Sequence, residues 1–193
     1  MLMSLLSGAR NAKNSQLAEK IFNPSILLAN VYASTGQMGK SSNIKRKLIQ
    51  ANLKKPSGLS YTEVNNKIYM FRAHDSSHPR SREIYNEIEK ISKELTLYGH
   101  KYDSSCIIRP LNENESVESV LCGHSERLAI AWNFVANPNI SRIQITKNLR
   151  VCDDCHESTK LIALIRQCEI IVRDASRIHH FHKNGKCSCN DYF

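Results

Sequence analysis

Soft metal ligands crowd into one end of this chain. Six of the seven cysteines and five of the eight histidines lie at or after Cys122. The cysteine number is odd, and two pairs are too close in sequence for a secreted disulfide framework. Reduced thiols that bind metal are the expectation. The sharpest constellation is His124-x-Glu126, then 25 intervening residues, then Cys152-Asp153-Asp154-Cys155. Cys152 and Cys155, three apart at a helix start, turn both sulfurs to one point. The positive end of that helix favours their thiolate forms.

His124 adds a neutral nitrogen, so the set holds two thiolates, one imidazole and an open fourth position. That is the catalytic arrangement of zinc rather than the closed structural one. Glu126 is placed as general acid and base beside a water in the open position, a pattern suited to hydrolysing the amine from C4 of cytosine. Residues two apart in mid-helix face nearly opposite directions. His124 and Glu126 therefore share a site only if His124 sits at the helix start, outside helical geometry. Gly123 would permit the turn, with Cys122 and Gly123 ending a strand and Cys122 a small buried residue rather than a ligand. Two other readings compete. Cys152-x-x-Cys155-His156 matches the c-type haem attachment pattern, which leaves His-x-Glu and the later cysteines unexplained. A purely structural zinc module would recruit a fourth Cys or His rather than leave Glu126 nearby.

A second cluster closes the chain: His179, His180, His182, Cys187 and Cys189. Two thiolates two apart on an extended segment flank one metal. His156 and His179 complete a closed four-ligand site that ties the end of the chain to the helix of Cys155. Two zinc ions per chain are expected. His180 and His182 read instead as a solvated or RNA-facing strand edge, and His74, His78 and His100 as surface or capping residues.

With 193 residues, 41% hydrophobic and 23% charged, the chain suits one ordinary domain plus an appendage. No apolar run approaches the roughly 18 residues of a membrane span, so no membrane partner is expected. The formal charge of +9 points to a polyanion such as nucleic acid. It divides into +8 over 1–58, −2 over 59–121 and +3 over 122–193. Residues 1–53 read as helical pieces. Leu17, Ala18, Ile21 and Phe22 lie on one, Leu27, Leu28, Val31 and Tyr32 on the next, and a third spans 42–52. No sustained repeat period accompanies them. The acid-poor first 20 residues also fit an organelle transit peptide. Pro56-Ser57-Gly58 marks a boundary. Beyond it the spacing predicts a β-hairpin over 61–64 and 67–71 about Asn65-Asn66, and helices over 82–98, 125–136 and 154–167. Strands are expected within 140–151 and over 169–173 and 177–181, with short strands at 106–109 and 117–121 across a polar, acidic loop. This order predicts an α/β fold, a mixed β-sheet flanked by helices, with a short N-terminal helical extension.

Residues 56–193 resemble the DYW-type cytidine deaminase domain of plant organellar pentatricopeptide-repeat RNA-editing proteins. The resemblance rests on Ser77-His78-Pro79, on His124-Ser125-Glu126-Arg127-Leu128-Ala129-Ile130-Ala131, and on Lys147-Asn148-Leu149-Arg150-Val151-Cys152-Asp153-Asp154-Cys155-His156. It continues through Ile170-Ile171-Val172-Arg173-Asp174, Arg177-x-His179-x-Phe181, Gly185-x-Cys187-Ser188-Cys189 and Asp191-Tyr192-Phe193. Residues 1–55 resemble the E1/E2 extensions that precede that domain, most clearly at Leu27-Leu28-Ala29-Asn30-Val31-Tyr32-Ala33.

The resemblance implies a cytidine deaminase-like fold and C-to-U conversion in single-stranded RNA, in a mitochondrion or plastid, with no DNA partner expected. It assigns His124, Cys152 and Cys155 to a catalytic zinc and Glu126 to proton transfer, and it implies a gating segment, placed here at 104–119. The target is chosen by pentatricopeptide repeats, about one base per repeat. The chain has no such tract. It is either the C-terminal part of a longer protein, or it borrows specificity from a repeat-bearing or other editing-complex partner through its basic N-terminal helices. Three positions depart from the family. Phe193 replaces a terminal Trp, His182 looks like an insertion before Gly185, and Pro56-Ser57-Gly58 lacks an adjacent Pro-Gly. The alternative function is a catalytically silent, zinc-stabilised module that binds RNA or docks a protein of an editing complex.

Overall fold

The computed structural model describes residues 32, 35–50, 57–107 and 110–192. The chain divides into two compact units, 1–56 with 191–193, and 57–190. The helical pieces expected before residue 32, the boundary residue Pro56 and the terminal Phe193 lie outside the described residues. In the first unit, helix α1 (Met38–Gln50) begins four residues ahead of the sequence estimate. Gly36, at φ +76°, makes the left-handed turn before it.

The second unit runs β1 (Leu59–Val64), β2 (Lys67–Arg72), α2 (Ser81–Leu97), a 3-10 turn (Ser104–Cys106), α3 (Val117–Cys122) and α4 (Ser125–Ala136). It continues with β3 (Arg142–Lys147), α5 (Asp153–Ile165), β4 (Glu169–Arg173) and β5 (Ile178–Phe181). The strands form one mixed sheet in the order β2-β1-β3-β4-β5. Only β3 and β4 are parallel, joined through α5, and the other neighbours are antiparallel. Asn65 and Asn66, both left-handed at φ 52° and 60°, make the two-residue turn between β1 and β2. Such a turn matches the twist of paired strands.

Alternation along each strand sends one row of side chains inward: Thr62 and Val64, Ile143 and Ile145, Ile170 and Val172, His179 and Phe181. Helix α4 packs on β1, β2 and β3, α5 on β4 and β5, and α2 on α4 and α5. α2 turns Ile84, Ile88, Ile91 and Leu95 to this core. Each such residue contributes about 1.5–3 kcal/mol when fully buried. α4 is buried over 125–134, which is why its sequence is apolar nearly all round. Its one buried amide, Asn133, is satisfied by Thr62 Oγ1 at 2.9 Å and the Ala129 carbonyl at 2.8 Å.

The two short strands expected at 106–109 and 117–121 do not form. Ser104–Cys106 is a 3-10 turn whose cap, Asp103, accepts from the Ser105 amide, and 108–109 fall outside the described residues. Residues 117–122 are helical because Ser116 and Ser119 make a reciprocal capping box. Cys122 therefore ends a helix, not a strand. Gly123 has φ −79°, so no special turn demands it. The exposed His74 ring packs over it: a Cβ there would lie 2.2 Å from His74 Nδ1, so that ring would have to swing aside.

Candidate active site

Helix starts position the first cluster. His124 is the N-cap of α4 at φ −63° and ψ 143°, outside helical geometry, and Glu126 lies in the first turn. Cys152 is the N-cap of α5, with Cys155 in its first turn. The ligand atoms of His124, Glu126, Cys152 and Cys155 all lie within 4.8 Å of one another. His124 Nδ1 is 3.2 Å from Cys155 Sγ and 3.6 Å from Cys152 Sγ. Tetrahedral zinc at ordinary N and S distances spaces its ligands about 3.5–3.8 Å apart. The donor set and its spacing fit that ion.

Glu126 is held from one side. Lys147 Nζ, the last inward residue of β3, donates to Oε2 at 2.5 Å. Lys147 also donates to Ser125 Oγ at 3.3 Å, and Ser60 Oγ is 2.9 Å from that hydroxyl. Oε1 is buried with no hydrogen-bond partner. Burial opposes ionisation of Glu126, but Lys147 and His124 outweigh it and hold the carboxyl below its usual range. Burial likewise opposes charging His124, and the Cys152 sulfur more than offsets it, raising that imidazole. Cys152 is the more acidic thiol, held low by the neighbouring Cys106, Cys155 and His124 side chains against the effect of burial. Burial, and then the Cys152 sulfur, push Cys155 up.

A buried ion pair joins the two helix starts. Arg127 Nη2 donates to Asp154 Oδ2 at 2.6 Å, and Arg127 Nη1 reaches Cys122 Sγ at 3.4 Å. The other Asp154 oxygen accepts from the Asp103 amide at 3.0 Å and lies 3.3 Å from His100 Nε2. His100 is thus a buried partner of α5 rather than a surface residue. His78 packs its ring 4.3 Å from Trp132, and its Nδ1 accepts from the Arg80 amide beside the start of α2.

The second cluster brings His156, His179, Cys187 and Cys189 together, again within 4.8 Å. His156 Nε2 is 3.1 Å from Cys189 Sγ, the two sulfurs are 3.3 Å apart, and Cys187 Sγ is 3.8 Å from His179 Nδ1. The sulfurs are too far apart for a disulfide, and all seven cysteines are free. Asp174 Oδ2 lies 3.3 Å from His179 Nε2 and accepts from the Val151 amide at 3.0 Å. Burial opposes ionisation of Asp174, but the hydrogen bond to His179 and three backbone amides hold it well below the carboxylate range. A carboxylate behind a ligating imidazole fixes its ring orientation.

All eight site residues expected from sequence therefore fall into their two expected groups. Lys147, Arg127, Asp154, Asp174 and Cys106 were given no role from sequence. The signal for Lys147 was its register, a lysine continuing the inward row of Ile143 and Ile145. For Asp154 it was an acid between two ligand cysteines.

Residues 99–193 match a family of enzymes that deaminate nucleic acids. The model this segment matches is that of the DYW family of nucleic acid deaminases. Residues 68–95, from β2 into α2, match the E+ motif. A pentatricopeptide repeat-containing protein of Arabidopsis thaliana is 44% identical over 168 residues, 87% of this chain and 19% of the relative. A second from that plant is 39% identical over 201 residues, 98% of this chain and 31% of the relative. A third, named as chloroplastic, is 40% identical over 178 residues, 92% of this chain and 20% of the relative. The chain thus spans 19–31% of the length of these relatives. No helix among the described residues is long and apolar enough to cross a membrane.

Proposed function

We propose that this chain is a zinc-dependent cytidine deaminase that converts cytidine and water to uridine and ammonia in single-stranded RNA. The observation that carries this reading is Glu126: one carboxylate oxygen clamped by Lys147, the other buried, without a hydrogen-bond partner, among His124, Cys152 and Cys155. A zinc ion held by those three residues supplies the Lewis acidity that makes water a nucleophile near neutral pH. Glu126 Oε1 takes the water's proton and returns it to the departing amine, while Lys147 keeps the carboxylate in place. Nucleophilic attack falls on C4 of the base. His156, His179, Cys187 and Cys189 hold a second zinc that fastens the end of the chain to α5.

In this reading residues 56–193 are the catalytic domain and residues 1–55 dock a repeat array or a partner. Target choice belongs to pentatricopeptide repeats on the same or another chain, which fits the names of the relatives. The site of action is a mitochondrion or plastid, the latter in keeping with two relatives named as chloroplastic.

Glu126→Ala tests the assignment in the zinc-loaded protein, supplied with a repeat-bearing partner and its RNA. Uridine formation should fall by about 10²–10⁴-fold, the usual share of a general acid–base, with two zinc ions retained. Equal activity of variant and parent would remove Glu126 from the mechanism. The closeness of the Glu126 carboxylate to the other three ligand atoms favours a second reading: Glu126 as fourth ligand of a closed zinc site in a silent RNA-binding or docking module. That reading predicts tight RNA association and no uridine even with the partner present.

A further inference from the structure

We infer that Glu169, His180 and His182 form a third metal site, outside both cysteine-containing clusters, which takes a divalent ion of the zinc class. His179 points into the core, so its neighbour His180 projects from the opposite face of the sheet. His182 follows two residues later, and the two rings stand 4.1 Å apart. β4 pairs antiparallel with β5, Ile170 facing Phe181 and Ile171 facing His180. That register sets Glu169 beside His182 on the adjoining strand.

The ligand atoms of the three residues lie within 4.8 Å of one another. His180 Nε2 is screened from solvent and has no hydrogen-bond partner. Glu169 Oε2 stands 3.7 Å from it, too far for a hydrogen bond but a span that one metal ion bridges. The backbone is fixed at both histidines. His182 N donates to the Lys186 carbonyl at 2.9 Å, and Gly185 N to the His182 carbonyl at 2.9 Å. Ser188 brackets His180, its amide donating to the carbonyl and its hydroxyl accepting from the amide, both at 3.0 Å. Little ordering is left for an ion to impose.

Two imidazoles and a carboxylate suit zinc, nickel or copper. The His180 side chain is 31% exposed, so water can reach the remaining coordination positions. One cation competes: Arg142 Nε lies 3.7 Å from the same Glu169 oxygen, on a side chain 55% exposed that can swing away. Without thiolates this site binds more weakly than the cysteine clusters and fills last.

The test is equilibrium dialysis of the whole chain against micromolar free zinc, with metal and protein counted. The parent should hold one zinc more than His182→Ala or His180→Ala, and Glu169→Gln should weaken that last equivalent at least tenfold. Because the readout is a difference, it stands apart from the count at the cysteine clusters and from any deaminase activity. Equal zinc on the parent and both histidine variants would overturn the site and leave Glu169 and His180 as a simple ion pair. A third equivalent that persists in His182→Ala would overturn it too.

Discussion

Arg127 and Asp154 meet at 2.6 Å in full burial, and each sits inside one half of the candidate zinc cluster. Arg127 follows Glu126 on α4, and Asp154 lies between Cys152 and Cys155 on α5. The pair therefore sets the distance between the imidazole and the thiolates. Removing one partner leaves an uncompensated buried charge, so Asp154→Ala should cost about 3–5 kcal/mol in chemical denaturation. Adding Arg127→Met should restore part of that loss, with a coupling of about 1 kcal/mol or more. Strict additivity of the two substitutions would show that the pair does not act as a unit.

Lys147 and Glu126 make a different kind of contact, one that orients rather than assembles. Lys147→Met should leave zinc content unchanged while lowering the rate of uridine formation. A catalytic group displaced by about 1 Å can cost roughly 10²-fold. The fall should appear in kcat, with KM nearly constant, because the lysine lies behind the carboxylate rather than in the substrate's path. A loss of bound zinc in step with the rate would instead make Lys147 a residue of the fold.

That the two Cys/His groups come together was legible because these are rare residue types at fixed spacings, and because helix geometry allowed only one placement of His124 relative to Glu126. The hairpin was legible from Asn65-Asn66, and the core helices from their periodicity. The region 104–122 was not. Val117–Cys122 has both the apolar content of a strand and the length of one, and only the Ser116–Ser119 box decides for a helix. Arg127, Asp154 and His100 escaped for another reason. Each works through a partner distant in sequence, and no local pattern marks a side chain whose complement lies tens of residues away. Gly123 needs no turn-making freedom, since its φ of −79° is open to any residue.

His78 offers a pH test away from the metal ligands. Burial against Trp132 lowers its pKa below the usual 6.5, and Arg80 acts in the same direction. The folded protein thus binds a proton at this site less readily than the unfolded chain does. Stability linked to His78 is present above about pH 6.5 and falls as the pH drops through the folded value. His78→Gln should lose less stability than the parent between pH 7 and pH 5 in parallel denaturant titrations. An identical pH dependence of the two proteins would mean that His78 titrates normally in the fold.

Metal removal should separate the two clusters by consequence. His156 and Cys155 are neighbours on α5, so one helix serves both sites, but the other ligands differ in what they hold. Cys187 and Cys189 lie on the closing segment beyond β5, which the cluster joins to α5 through His156 and to β5 through His179. Cys187→Ser should therefore unfasten that segment as well as reduce bound zinc. A loss of about 3 kcal/mol corresponds to a fall of roughly 6–12 °C in Tm for a chain of this size. Cys152 and Cys155, by contrast, sit on an α5 already fixed by the Arg127–Asp154 pair and by core packing. Cys152→Ser should lose one zinc and all uridine formation with a smaller change in Tm. Calorimetry and metal analysis on the two variants decide the matter. If Cys152→Ser proved the more damaging to the fold, the division into one chemical and one structural zinc would have to be reversed.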